Sequence, residues 1–246
     1  SQLVEVINRL NLICPEEGQR DNLNLIAFRN GIYDINTNRL GEFNPDIIIT
    51  NQIPWDYNPA AKSDLVDRVL NQLSCNDKEI RYLLEEVAGA CLYRSATIGG
   101  GKCAILKGDK HNGKSTYLHM IECMLGKDNF CSVDVKDFKQ RFAPIMTFGK
   151  LANIGDDISS EYIEDTSLLK KMITGEVIRA EDKGKPAINF TPYATHIFSA
   201  NDIPRMKDRT GAMLRRMLIV PFNGNFTADT PGYDPEIRYK LGTAEC

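Results

Sequence analysis

Between Gly108 and Thr116 the chain reads Gly-Asp-Lys-His-Asn-Gly-Lys-Ser-Thr, a complete G-x-x-x-x-G-K-[ST]. The spacing has a mechanical basis: backbone N–H groups of such a loop wrap phosphates, the lysine ammonium reaches their outer oxygens, and the next hydroxyl ligates Mg²⁺. A strand-like run, Cys103 to Leu106, precedes the loop, and Tyr117, Ile121, Met124 and Leu125 follow it at helical spacing until Gly126. Strand, loop and helix start in that order turn a helix dipole toward an anion. The expectation is a nucleotide held by Gly108, Asp109, Lys110, His111, Asn112, Gly113, Lys114, Ser115 and Thr116, with Lys114 on the phosphates and Ser115 on the metal.

Such a loop needs a second strand bearing carboxylates to hold the metal and aim the attacking water. Lys150-Leu-Ala-Asn-Ile-Gly-Asp156-Asp157 is an apolar run ending in paired acids. By analogy with other phosphate-loop enzymes, Asp156 holds Mg²⁺ and Asp157 polarises water. The bland alternative is a pair of solvated turn residues. Asp134, Asp137, Asp165 and Asp182 are competitors, but none ends so clear an apolar strand.

Residues 22–57 carry short β-rich runs separated by Asn30-Gly31, Asn44-Pro45 and Ile53-Pro54, which reads as a small β region. Apolar residues then recur at helical spacing through Leu65, Val66, Val69, Leu70 and Leu73, and again through Ile80, Leu83, Leu84, Val87 and Ala88. Two amphipathic helices are expected, with Ser63 and Asn76 as N-caps. Gly99-Gly100-Gly101 makes residues 95–101 the boundary candidate, giving a β/helical region over 1–98 and a phosphate-loop domain over 99–246. Gly99, Gly101 and Ala104 also outline a loose dinucleotide fingerprint, but here the strand follows the glycines, so a linker is the better reading.

With 42% apolar and 26% charged residues the chain is an ordinary folding sequence, which excludes disorder and low-complexity structure. No apolar run reaches membrane-spanning length, and the N-terminal stretch has no leader pattern, so neither secretion nor a membrane is expected. Seven cysteines, odd in number and singly scattered, and three histidines without ligand spacing argue against zinc and disulfides and for a reducing cytoplasm. The net charge of −3 excludes a surface that coats nucleic acid throughout. It hides a local excess: residues 167–216 hold ten basic and five acidic side chains, leaving that segment at +5.

The order of these blocks resembles a superfamily 3 helicase, specifically the helicase region of phage and plasmid primase-helicases. Two further blocks carry the resemblance. Lys171-Met-Ile-Thr-Gly175 with Arg179-Ala-Glu-Asp-Lys-Gly-Lys-Pro186 looks like the family's DNA-contacting hairpin. Thr195-His-Ile-Phe-Ser-Ala-Asn201, then Ile203-Pro204 and Leu214-Arg-Arg-Met-Leu-Ile-Val-Pro-Phe222, looks like its sensor strand and arginine-finger strand. Residues 22–98 look like the small domain that precedes the motor.

The resemblance implies an α/β fold, an AAA+-like phosphate-loop motor with a central parallel sheet preceded by a small β/helical domain with oligomerisation helices. It implies ATP with Mg²⁺, single-stranded or forked DNA, and a homo-oligomer, usually a hexameric ring, in a bacterial host or phage-infected cell. Asn201 then senses the γ-phosphate, Arg216 reaches a neighbour's nucleotide with Arg215 as fallback, and Lys183 and Lys185 meet DNA phosphates at the hairpin tip. The alternatives are a capping asparagine, an arginine ion pair and solvated turn charges. Primer synthesis is expected to reside in a longer full-length chain. A small-molecule kinase and a nucleotide-binding scaffold without turnover are the competing functions.

Overall fold

The computed structural model describes residues 22–96, 101–158, 165–203 and 211–243. Gly99, Gly100 and the basic stretch Arg205, Lys207 and Arg209 lie outside these residues, as does Pro204. Four strands form the first sheet: β1 (Leu25–Phe28), β2 (Gly31–Asp34), β3 (Arg39–Gly41) and β4 (Gln52–Ile53), in the order β3-β2-β1-β4. The hairpin loop is Arg29-Asn30, one residue earlier than Asn30-Gly31, because Gly31 already pairs with Phe28. Only glycine fits there: φ is +152°, and a Cβ would collide with the Gly41 carbonyl of β3.

Two amphipathic helices follow, α1 (Asp64–Leu73) and α2 (Lys78–Ala90). Ser63 caps α1 as expected, its hydroxyl accepting from Val66 N at 3.3 Å. The cap of α2 is Asp77 and not Asn76. Cys75 and Asn76 both take left-handed φ values, +52° and +62°, to turn the chain, and the Asp77 carboxylate accepts from Glu79 N and Ile80 N at 2.9 and 3.1 Å. Arg81 then joins the two helices through Asp67 at 2.5 Å and Asn71 at 2.6 Å.

The remaining chain builds a five-stranded, all-parallel sheet from β5 (Cys103–Lys107), β6 (Phe130–Cys131), β7 (Ala152–Gly155), β10 (Thr195–Ala200) and β11 (Met217–Pro221). Its order is β11-β5-β10-β7-β6. Alternation sends Ala104 and Leu106 of β5 to one face and Cys103 and Ile105 to the other. Both faces are covered, as a parallel sheet requires. On one lie α1, α2 and the helix α3 (Lys114–Leu125), with Leu73, Leu84, Ile121, Ile154, Ile197 and Val220 in a single apolar cluster. On the other lies α4 (Ser167–Thr174), with Ile105, Phe138, Met172, Ile173, Phe198 and Met213. Residues on both sides of the expected 98/99 boundary thus share one core.

After α4, β8 (Ile178–Ala180) and β9 (Ile188–Phe190) form an antiparallel hairpin, and a short helix, α5 (Ile237–Leu241), packs beside α3. The fold is the expected one: an α/β domain with a central parallel sheet, joined to a small β/helical domain. Among the described residues no helix is long and apolar enough to cross a membrane.

Candidate functional site

Parallel strands bring their carboxyl ends to one rim of the sheet, and crevices form there. At this rim β5 runs into the Gly108–Gly113 loop, β7 into Asp156-Asp157 and β10 into Asn201. Because β10 pairs with both β5 and β7, Asn201 falls between the loop and the acids. The loop is stitched down by Gly108 N donating to the Ala200 carbonyl at 3.2 Å, and by Phe222 N donating to the Lys107 carbonyl at 2.7 Å. Gly113 opens α3 at φ +88°, where a Cβ would strike the Leu73 side chain.

Lys114 is buried, and its ammonium is shared among loop acceptors. Nζ donates to the Gly108 carbonyl, the Asp109 carbonyl at 2.8 Å, Asn112 Oδ1 at 3.3 Å and Asn201 Oδ1 at 3.3 Å. Burial pulls its pKa below the usual lysine value, against the opposing charges of Asp157, Asp156 and Asp109. Asn112, nearly fully buried, also donates to the Phe222 carbonyl at 3.3 Å, tying the loop to the end of β11.

The acids are set by a residue that sequence reasoning passed over. Ser199 Oγ donates to Asp156 Oδ1 at 2.7 Å and accepts from Asp157 N at 2.8 Å. Asp157 itself sits in the left-handed region at φ +53°. Both carboxylates are exposed to the crevice, whereas Ser199 is only 1% exposed.

Loop, acids and Asn201 line one cavity of about 620 Å³. Its far wall was also missed. Val69, Gln72 and Leu73 of α1 face Phe226, Tyr233 and Ile237 of the C-terminal stretch across it. Phe226 N donates to the His111 carbonyl at 2.6 Å, so this wall is fastened to the loop. The cavity therefore has a cationic, amide-rich end, an acidic side and a mixed wall in which Val69, Leu73, Phe226 and Ile237 stand beside Arg68, Asp234 and Arg238. Such a site can hold a polyphosphate at α3, with oxygen donors from Ser115 and Asp156 for a hard cation and the apolar side chains of the mixed wall for a ring.

Arg216 stands elsewhere. β11 pairs with β5 from Met217↔Cys103 to Pro221↔Lys107, so Arg216 lies at the amino end of the sheet. Six strand steps separate that level from Gly108, roughly 20 Å at about 3.3 Å per residue. Its guanidinium donates from one terminal nitrogen to the Ala212 carbonyl at 2.9 Å, while Nε is buried with no partner among the described residues. Arg215 is exposed, and its carbonyl accepts from Lys102 Nζ.

Lys183 and Lys185 flank Gly184 at the hairpin tip, both exposed, outside the crevice. Lys185 Nζ is ion-paired with Asp182 at 2.7 Å and holds that carboxyl below its usual pKa. The structure thus gathers Gly108–Thr116, Asp156, Asp157 and Asn201 and leaves Arg216, Lys183 and Lys185 apart from them.

A family of unknown function (DUF5906) matches residues 106–216, and a family described as D5 N terminal like matches residues 8–75. "Putative helicase 184R" of Invertebrate iridescent virus 6 is 26% identical over 91% of this chain and 27% of its own length. "Putative helicase V13" of the Sputnik virophage is 25% identical over 83% of this chain and 27% of its own. The C-terminal region of NrS-1 superposes with a TM-score of 0.58 at 16% identity, over 89% of this chain and 50% of that one, and so shares its fold. The chain spans 27% of the length of each of those two viral relatives. Together these matches bear out the resemblance to the helicase region of phage-type primase-helicases.

Proposed function

We propose that this chain is the ATP-hydrolysing motor of a superfamily 3 DNA helicase, acting in replication as a ring, usually a hexamer, on single-stranded or forked DNA. The observation that carries the reading is the convergence of Lys114, Asn201 and the Ser199-held acids at the ends of three adjacent strands. The residues fit Mg²⁺-ATP. The lysine ammonium has only uncharged acceptors as hydrogen-bond partners, an arrangement a phosphate oxygen can compete for, and a phosphate-bound Mg²⁺ would take an oxygen from Ser115 and be held by Asp156 through its water shell.

In this reading Gly108–Thr116 holds the phosphates, the α1 and C-terminal wall faces the base, and bound Mg²⁺ supplies charge neutralisation on the phosphates. Asp157 orients water and Asn201 reports on the terminal phosphate. Arg216, at the opposite end of its own sheet, suits action on a neighbour's nucleotide, and the hairpin lysines suit phosphate tracking along DNA.

The test is phosphate release from ATP with Mg²⁺, with and without single-stranded DNA, in the full-length protein and its Lys114→Ala variant. Release to water that DNA accelerates, and that the folded variant loses, is the expected result. Transfer to a small-molecule acceptor would assign a kinase. Tight ATP binding without turnover would assign a scaffold, and either outcome overturns the motor.

A further inference from the structure

We propose that Ser199 is a positioning residue for the paired acids, setting the direction of Asp156 and the turn at Asp157; the inference rests on the motor reading above. A serine hydroxyl has one proton to give and lone pairs to accept with. An amide can only donate, so the Asp157 N–H at 2.8 Å occupies a lone pair and the proton goes to Asp156 Oδ1 at 2.7 Å. The bond to the carboxylate is the charge-assisted kind, and the two bonds together leave the hydroxyl a single orientation.

The surroundings hold the serine still. It lies between Phe198 and Ala200, neither of them measurably exposed, on the strand paired with β7 up to Phe198↔Gly155. Its own carbonyl accepts from Ile158 N at 2.9 Å, so one residue makes three bonds to three successive residues of the acidic turn. Asp157 has left-handed φ without being glycine, a conformation that the bond from its amide helps to retain. One oxygen of Asp156 is engaged by Ser199, leaving Oδ2 for a cation's water shell. Two residues later the same strand presents Asn201 to Lys114, so β10 aligns the acids and the lysine at once.

The experiment compares wild type, Ser199→Ala, Ser199→Thr and the near-isosteric Ser199→Cys in the full-length protein. Its readouts are ATP affinity without metal, the Mg²⁺ concentration for half-maximal turnover, kcat, and amide exchange at Asp157 and Ile158. Ser199→Ala is expected to bind metal-free ATP as wild type does, while kcat falls and the Mg²⁺ requirement rises, by about 10–100-fold between them as for other outer-shell partners of metal ligands. Asp157 should exchange faster with Ile158 unchanged. Ser199→Thr should recover most of the loss, and Ser199→Cys, a weak donor, should resemble Ala even if Ala does not fold. Unchanged kcat and Mg²⁺ requirement in Ala and Cys would overturn the proposal. So would equal loss of metal-free ATP binding in all three variants, which would make Ser199 a packing residue. A wild type that neither hydrolyses ATP nor binds it with Mg²⁺ refutes the motor reading itself, a result distinguishable from failure at Ser199 alone.

Discussion

Lys114 Nζ donates to Asn201 Oδ1 at 3.3 Å, a bond that joins the helix start after β5 to the end of β10 across 87 positions of sequence. With the Gly108, Asp109 and Asn112 oxygens it makes four acceptors for an ammonium with three protons. A phosphate arriving at this ammonium must compete with them, and Asn201 is the partner best placed to turn toward the incoming group. Asn201→Ala is therefore expected to leave ATP affinity within a few-fold and to lower kcat by about 10²-fold, on the scale of removing one polar group aimed at developing charge. Equilibrium binding and single-turnover hydrolysis separate the two. An equal fall in affinity and unchanged single-turnover rate would reduce Asn201 to a loop tether.

The hairpin tip makes an unequal prediction for its two lysines. Lys185 is paired with Asp182, whereas no ion pair involves Lys183 among the described residues. Lys183→Ala should weaken DNA binding and lower the slope of log affinity against log salt by about one unit. Asp182→Asn should strengthen binding by releasing Lys185. Salt titrations with single-stranded DNA check both, and an unaltered slope in Lys183→Ala would make the tip a solvated turn.

His196 provides a pH signature of the fold. Its ring lies against Phe138 and Phe198, Nδ1 is 3.4 Å from Asn153 Nδ2, and Nε2 is buried without a partner among the described residues. Burial lowers its pKa from 6.5 to about 4. The unfolded chain therefore takes up a proton below about pH 6.5 that the native state refuses until about pH 4, so stability falls as pH drops through that window and levels off beneath it. The full loss is about 3 kcal/mol. His196→Phe should remove this component, visible as a smaller drop in urea midpoint from pH 7.5 to pH 5 than in wild type. Parallel drops in the two proteins would refute it.

What could be read directly from sequence was local. Gly108–Ser115 spells its chemistry in residue types at fixed spacing, and the strands ending at Asp156 and Asn201 declare themselves by apolar runs closed by polar groups. The cap of α2 missed by one residue because both Asn76 and Asp77 can cap, and the left-handed pair Cys75-Asn76 decides between them. Ser199 carried no signal by itself: a serine inside an apolar strand reads as tolerated packing until the β7–β10 register sets it against Asp156. The far wall was hidden for a different reason. Gln72 and Tyr233 line one cavity only because α1 packs against the parallel sheet and the C-terminal stretch returns to the loop, a juxtaposition of residues far apart in sequence.

Arg216 tests the proposed ring. Its place at the amino end of β11, some six strand steps from Gly108, is farther from its own chain's phosphate loop than an arginine side chain extends, so in the proposed motor it would act on the nucleotide of a neighbouring copy. Arg216→Ala should bind ATP nearly normally, because in the proposed motor Gly108–Thr116 holds the nucleotide within one chain, and should hydrolyse it at least about 10²-fold more slowly, below the 10³–10⁵ that arginine fingers contribute elsewhere. Mixed with Lys114→Ala, it should regain part of the activity: one boundary of such an assembly pairs an intact loop with an intact arginine, which neither variant forms alone. Turnover measured on mixtures confirmed to exchange subunits checks this. If the mixture shows only the sum of its parts, Arg216 is not the trans-acting residue. The exposed Arg215 beside it, on the same turn, then becomes the residue to exchange.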